Sequence, residues 1–234
     1  MSSANHTLFF DAARAESYDL QFEVLHPIKD SLHLLVRGAF GHLPTEARIL
    51  VVGAGTGAEV RFLAPLFPDW RFTLVDPSAA MLNVARRYAE AGSYVDRCEF
   101  HVGVVADLGR ETYDAATSVL VSHFLTDADE RRGYFAEISA RVRQGGPLFN
   151  ADLSAFRDEP AFEPIMDLWQ RLGQLQATPG GPVDDGSAFR AAFGRDVAVH
   201  PPDEVASMIA DAGFNAPVLC YQFSLIRAWL AVKS

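Results

Sequence analysis

The chain has 234 residues, of which 49% are hydrophobic, and 30 acidic against 20 basic residues give a formal net charge of −10. That apolar share supports a full core and excludes disorder over most of the length. The acidic balance argues against loose nucleic-acid binding, because phosphates are held by clustered Lys and Arg.

Residues 1–47 are expected to form a helical cap, with Tyr18, Phe22, Leu25, Leu32 and Leu35 at roughly helical spacing. The amino-terminal stretch lacks a basic segment followed by an apolar run, so it does not read as a leader. From Arg48 onward apolar runs alternate with helical patterns. "RILVVG" (48–53) reads as a strand followed by a helix over about 58–66. "RFTLVD" (71–76) is a second strand, and "PSAAMLNVARRYAEAG" (77–92) a helix with Pro and Ser at its start and Gly at its end. "CEFHVG" (98–103) and "YDAATSVLVSHF" (113–124) supply two more strands. "DADERRGYFAEISARV" (127–142) reads as a helix whose acidic start is solvated, and "GPLFNADL" (146–153) as the fifth strand. This cadence implies βαβ crossovers and a parallel sheet covered on both faces. Residues 154–200 interrupt it with a helical stretch and the breaker-rich "TPGGPVDDG". A helix in "PPDEVASMIADAGF" and two strands in "PVLCYQFSLIRAWLAVK" close the chain.

Chemistry enters at the turn after the first strand. Gly53, Gly55 and Gly57 are spaced G-x-G-x-G, with Ala58 filling the last place of the dinucleotide fingerprint. Asp76 ends the second strand nineteen residues after Gly57, and a carboxylate there can take both hydroxyls of a ribose. Nicotinamide and flavin dinucleotides have such a ribose, and so does S-adenosylmethionine. These two signals leave both classes open.

The turn together with "VDPSAAML", "YDAATSVLVSHFLTD", "RVRQGGPLFNADL", "DAGF" and the closing strands resembles the class I (Rossmann-like) S-adenosylmethionine-dependent methyltransferases. The resemblance implies a seven-stranded, mostly parallel sheet with helices on both faces and an antiparallel last strand. It also implies a methyltransferase domain over 48–234, with a lid insertion at 154–200. By the same resemblance Gly53, Ala54, Gly55 and Gly57 lie beside the methionine part of the donor, and Asp76 binds the ribose. Pro77 and Met81 flank the adenine, Val104 and Val105 offer it a backbone contact, Ser118 lies by the sulfonium, and Tyr18 closes the pocket. The chain departs from the family in three places. Val51 stands where many relatives carry an acid, Val104 stands where many carry Asp (with Asp107 three residues on), and Gln144 precedes Gly145 and Gly146 where "PGG" is usual.

His123 matches a family histidine and is expected to face the cleft, as a general base or as a pocket-shaping residue. Phe162, Met166 and Trp169 form an apolar stripe that either lines an acceptor pocket or packs the helix. Arg157, Arg171, Arg190 and Arg195 could hold an anionic acceptor or simply be solvated. The remaining histidines are scattered, and no metal site is expected. The expected function is methyl transfer from S-adenosylmethionine to a small-molecule acceptor by in-line displacement. Nucleic acid is not an expected partner, no membrane span is foreseen, and a homodimer is admitted. Lone Cys98 and Cys220 point to a reduced, cytoplasmic setting. The alternatives are a tRNA-nucleotide modifying enzyme of the same family using that donor or a modified one, and a non-catalytic donor-binding regulator.

Overall fold

The computed structural model describes residues 26–174 and 187–234; Tyr18, Phe22, Leu25 and the "TPGGPVDDG" loop lie outside them. Its frame is a seven-stranded sheet in the order β3-β2-β1-β4-β5-β7-β6. The strands are β1 (Arg48–Val52), β2 (Arg71–Asp76), β3 (Cys98–Val102), β4 (Ala115–Val119), β5 (Pro147–Leu153), β6 (Val218–Phe223) and β7 (Ile226–Val232). The pairs joining β1 through β5 are parallel, and β7 runs antiparallel to both β5 and β6. The expected fold class is therefore the one observed.

Because successive strand side chains point to opposite faces, the near-continuous apolar runs feed two cores. Ile49, Val51, Phe72, Leu74 and Phe149 pack against Leu32 and Phe40 of α1 (His26–Phe40), Leu63 of α2 (Ala58–Leu63) and Leu82 of α3 (Ala79–Ala91). Leu50, Val52, Val75 and Leu148 pack on the other face against Phe135 and Ile138 of α4 (Ala128–Arg141) and Met208 of α7 (Pro202–Asp211). Between them in sequence lie α5 (Phe162–Gln174) and α6 (Ser187–Ala192). Among the described residues no helix is long and apolar enough to cross a membrane.

Helix boundaries follow the expected caps. The Ser78 hydroxyl accepts the Met81 N–H at 3.3 Å, and the Asp127 carboxylate accepts the N–H groups of Asp129 and Glu130, each at 2.9 Å. The fourth strand is shorter than its apolar run suggests. It stops at Val119, Leu120 adopts a left-handed φ of 60°, and Ser122–Phe124 coils into a tight turn.

Buried electrostatics explain that stop. Asp152, in β5 and fully buried, accepts the His123 backbone N–H at 2.9 Å, the Ser122 hydroxyl, and the Arg131 guanidinium at 2.9 Å; it also pairs with His123 Nδ1 at 2.7 Å. Arg131, of α4 and also fully buried, donates from Nε to Ser122 Oγ at 2.8 Å. Burial alone would raise the Asp152 carboxyl, but Arg131, His123 and Ser122 outweigh it and hold it well below the usual carboxylate range. With Asn150 Nδ2 donating to it at 3.2 Å as well, five contacts on one carboxylate pull the chain out of the strand direction and weld the 122–124 turn to β5 and α4.

The interruption after β5 leaves and returns at one point: the Ser154 hydroxyl donates to the His200 carbonyl at 2.8 Å, and the Ala198 N–H donates to the His123 carbonyl at 2.7 Å.

Removing one partner of a buried ion pair strands the other charge. Arg131→Met is therefore expected to cost about 3–5 kcal/mol of folding stability, read as a shift in the denaturant midpoint at constant slope. A midpoint unchanged within error contradicts this account of the turn.

Candidate active site

The carboxyl ends of β1, β2 and β4 open onto a cavity of about 540 Å³. One wall is the glycine turn. Gly53, Gly55 and Gly57 all have positive φ, at 64°, 52° and 75°, a region that side chains adopt only with strain. Their surroundings differ. A Cβ on Gly53 would lie 2.4 Å from Val121 Cγ2, and one on Gly57 would lie 3.0 Å from the Ala85 Cβ of α3. A Cβ on Gly55 would meet nothing within 4 Å. Gly53 and Gly57 thus serve close packing, while the space over Gly55 belongs to the cavity.

Asp76 forms the second wall. It is buried, and its carboxylate accepts the Gly55 N–H at 2.9 Å and the Ser78 N–H at 2.8 Å. Burial raises its pKa, opposed by those two hydrogen bonds. Each oxygen keeps a lone pair for a further donor. The third wall is a stripe of α4: Glu130, Gly133, Tyr134 and Glu137, spaced i, i+3, i+4 and i+7 and so on one helix face. Val121, Phe124 and Leu125 of the pinned turn add an apolar surface, and Lys29 and His33 of α1 complete the rim. Burial lowers His33 to about 4, so it is neutral at pH 7.

Glu59, in the first turn of α2, also lines this cavity. Only 8% exposed, it has a carboxyl oxygen, Oε1, buried with no hydrogen-bond partner. Burial pushes its pKa up to about 7, a nearby Thr117 hydroxyl pulling weakly the other way. Among the described residues the wall thus carries four carboxyl groups, Glu59, Asp76, Glu130 and Glu137, against the single cationic side chain of Lys29. Such a wall opposes a pyrophosphate and suits a ligand carrying positive charge.

Of the residues expected at the donor, Gly53, Ala54, Gly55, Asp76, Pro77, Met81, Val104 and Val105 line the cavity. Gly57 and Ser118 do not. Gly57 faces α3, and the Ser118 hydroxyl is buried against the Tyr134 hydroxyl at 2.7 Å, leaving Tyr134 as the residue presented to the cavity. The Asp107 carboxylate is turned back on the Val104 N–H at 3.0 Å and does not line the cavity. His123 is also absent from the wall: its ring is buried, with Nδ1 on Asp152. The cleft-facing expectation for it does not match this placement, because the Asp152 network draws the ring inward. Nor does the apolar stripe line the cavity. Phe162 and Met166 are buried in the α1-side core, and Trp169 packs against it. Arg190 pairs with Glu163 at 2.9 Å and Asp167 at 3.4 Å, and Arg195 with Asp196 at 2.6 Å, all at the surface.

Sequence reasoning missed Glu59, Tyr134, Glu130 and Glu137. For the last three a signal existed, since the i, i+3, i+4, i+7 stripe in a helix following β4 could have been asked which way it faced.

Residues 49–146 match the family model described as a methyltransferase domain. Over 152 residues, 64% of the chain, the sequence is 30% identical to the uncharacterized protein syc1184_c of Synechococcus sp., of which it spans 34%. An O-methyltransferase family protein from Burkholderia thailandensis superposes with a TM-score of 0.65 and 17% identity, over 90% of this chain and 56% of that one. An O-methyltransferase family 2 protein from Planctomyces limnophilus, in complex with apigenin, gives 0.62 and 21%, over 94% and 62%. The chain thus spans about a third of its curated relative and somewhat more than half of these structures. At these identities the structural likeness shows the fold.

The unpaired Glu59 carboxyl makes a pH prediction. Its pKa rises from 4.5 to about 7 on folding, so between those values the native state binds more protons than the unfolded chain, and stability falls as pH rises. Relative to Glu59→Gln, the ligand-free protein is expected to lose about 3 kcal/mol between pH 4.5 and 7. A difference between the two proteins that does not change with pH contradicts it.

Proposed function

We propose that this chain, whose residues 49–146 match a methyltransferase domain, is a class I S-adenosylmethionine-dependent methyltransferase that transfers a methyl group from S-adenosylmethionine to a small-molecule acceptor. The observation that carries this reading is the cavity wall: a buried carboxylate at the ribose position, open space over Gly55, and carboxyl groups where a pyrophosphate would need cations. These features fit S-adenosylmethionine, which has a ribose diol and two cationic centres. The chemistry it supplies when bound is an electrophilic methyl on a sulfonium.

The chain's own residues then bind, orient and exclude water. Asp76, held by Gly55 and Ser78, receives the ribose hydroxyls, with Pro77 and Met81 beside the adenine and Val104 and Val105 at its edge. The pinned 121–125 turn and Tyr134 form the wall over the reacting end, where alignment at near-attack distance supplies most of the rate. With its ring buried on Asp152, His123 acts in this reading as a positioning residue. An acceptor that must lose a proton then gives it to solvent or to a carboxylate of the wall. The size of the cavity supports a small molecule, as does the Planctomyces relative solved with apigenin. With Lys29 as the one Lys or Arg on the described wall, an RNA acceptor has less to hold it. The free cysteines Cys98 and Cys220 support a reduced, cytoplasmic setting.

Titration calorimetry tests the reading. S-Adenosylmethionine and S-adenosylhomocysteine are expected to bind and NAD not to. Asp76→Ala is expected to weaken both nucleosides by about 10- to 100-fold through loss of charge-assisted hydrogen bonds. Binding of NAD without response to either nucleoside overturns it.

A further inference from the structure

Glu59 contributes to the acidic wall but has no contact of its own assigned, and its setting asks for one. The side chain is more than nine-tenths buried at the wall of the cavity, with Oε1 lacking any hydrogen-bond donor. Among the described residues it has no basic partner. Lys29 and His33 share the wall, but neither forms an ion pair with it, and His33 is uncharged at neutral pH. A buried carboxyl without a counter-charge is costly to keep ionised. At the wall of a cavity, a cationic ligand group can offset that cost.

Its position narrows the kind of cation. Glu59 is in the first turn of the helix that follows the glycine turn, so it belongs to the Gly53–Gly57 side of the cavity, which the donor reading gives to the methionine portion, with Pro77, Met81 and Val104 at the adenosine end. The carboxyl lies close to the buried Thr117 hydroxyl, which opposes part of the effect of burial on it. Thr117 is the register neighbour of Val51 across the β1–β4 pair, and the Val51 side chain points into the same core as α2. A side chain from the helix therefore brings a carboxyl close to where an acid on residue 51 of the strand would place one. An ammonium has three N–H donors to offer this carboxyl group, and a sulfonium has none.

We propose that Glu59 receives the α-ammonium group of the donor's methionine portion, so that the acid absent from β1 is supplied by the first turn of α2. The assignment rests on the S-adenosylmethionine reading. It makes Glu59 a determinant of donor recognition, acting on the amino-acid end while Asp76 acts on the ribose.

The test compares two ligands by calorimetry: S-adenosylhomocysteine and its des-amino analogue, identical except for the ammonium. Wild-type protein is expected to prefer S-adenosylhomocysteine by about tenfold or more, and Glu59→Gln to lose most of that preference while keeping its affinity for the des-amino analogue. A pH series on the wild type gives a second readout that needs no variant. Affinity for S-adenosylhomocysteine should fall as pH drops below about 7, where Glu59 takes up a proton, and affinity for the des-amino analogue should not follow. The other titratable groups around this wall, Asp76, Glu130, Glu137, Tyr134, Lys29 and His33, meet both ligands, and the same pair of curves in Glu59→Gln separates their share from that of Glu59. Equal affinity of wild type for both ligands, or an undiminished preference in Glu59→Gln, overturns the assignment while leaving the donor reading intact. Failure of wild type to bind either ligand overturns the donor reading, and the Glu59 assignment falls with it.

Discussion

One carboxylate sets the geometry on which the rest of the site depends. Asp76 divides its oxygens between the Gly55 N–H at 2.9 Å and the Ser78 N–H at 2.8 Å. It thereby ties the turn after β1 to the start of α3, two segments that belong to different crossovers. The tie requires Gly55 to present its amide from a left-handed conformation, and Gly53 and Gly57 let that turn seat against Val121 and Ala85. Besides it, the two lips are joined by the packing of Gly57 on Ala85 and by the strands beneath them. With it, the separation of the lips is fixed before any ligand arrives, which reduces the ordering cost of binding.

The opposite wall is fixed in the same manner by a different carboxylate. Asp152 gathers Ser122, His123 and Arg131 and so stops β4 at Val119. The turn that results lays Val121, Phe124 and Leu125 along the cavity. The two carboxylates do different work. Asp152 is fully saturated by partners and holds shape alone, whereas Asp76 retains lone pairs that face the cavity. The acidic wall then separates the two ligand classes that a glycine turn can serve. A pyrophosphate needs donors and cations, and here the described wall offers one lysine against four carboxyl groups.

The sheet was legible in the sequence because parallel strands buried on both faces read as continuous apolar runs, and RILVV and RFTLVD cannot easily be anything else. The place of Asp76 on the cavity wall was legible because it follows from a distance along the chain from the glycine turn. What escaped depended on direction. Phe162 and Met166 have the spacing of a lining stripe, but spacing does not say whether a face meets ligand or core, and here it meets core. His123 sits at the expected point in the chain with its ring turned inward, because Asp152, twenty-nine residues on, claims its Nδ1. Gly57 and Ser118 belong to familiar motifs yet contact α3 and Tyr134. Glu59 was hidden for the opposite reason: a glutamate in the first turn of a helix is ordinarily a solvated complement to the dipole, and only its burial marks it out.

If this cavity is a donor site built around Asp76, a structure of the chain with S-adenosylhomocysteine will hold the nucleoside between the glycine turn, β2 and α4, with both ribose hydroxyls within hydrogen-bond distance of the Asp76 carboxylate. A nucleoside bound elsewhere, or bound here with its ribose away from Asp76, would contradict it.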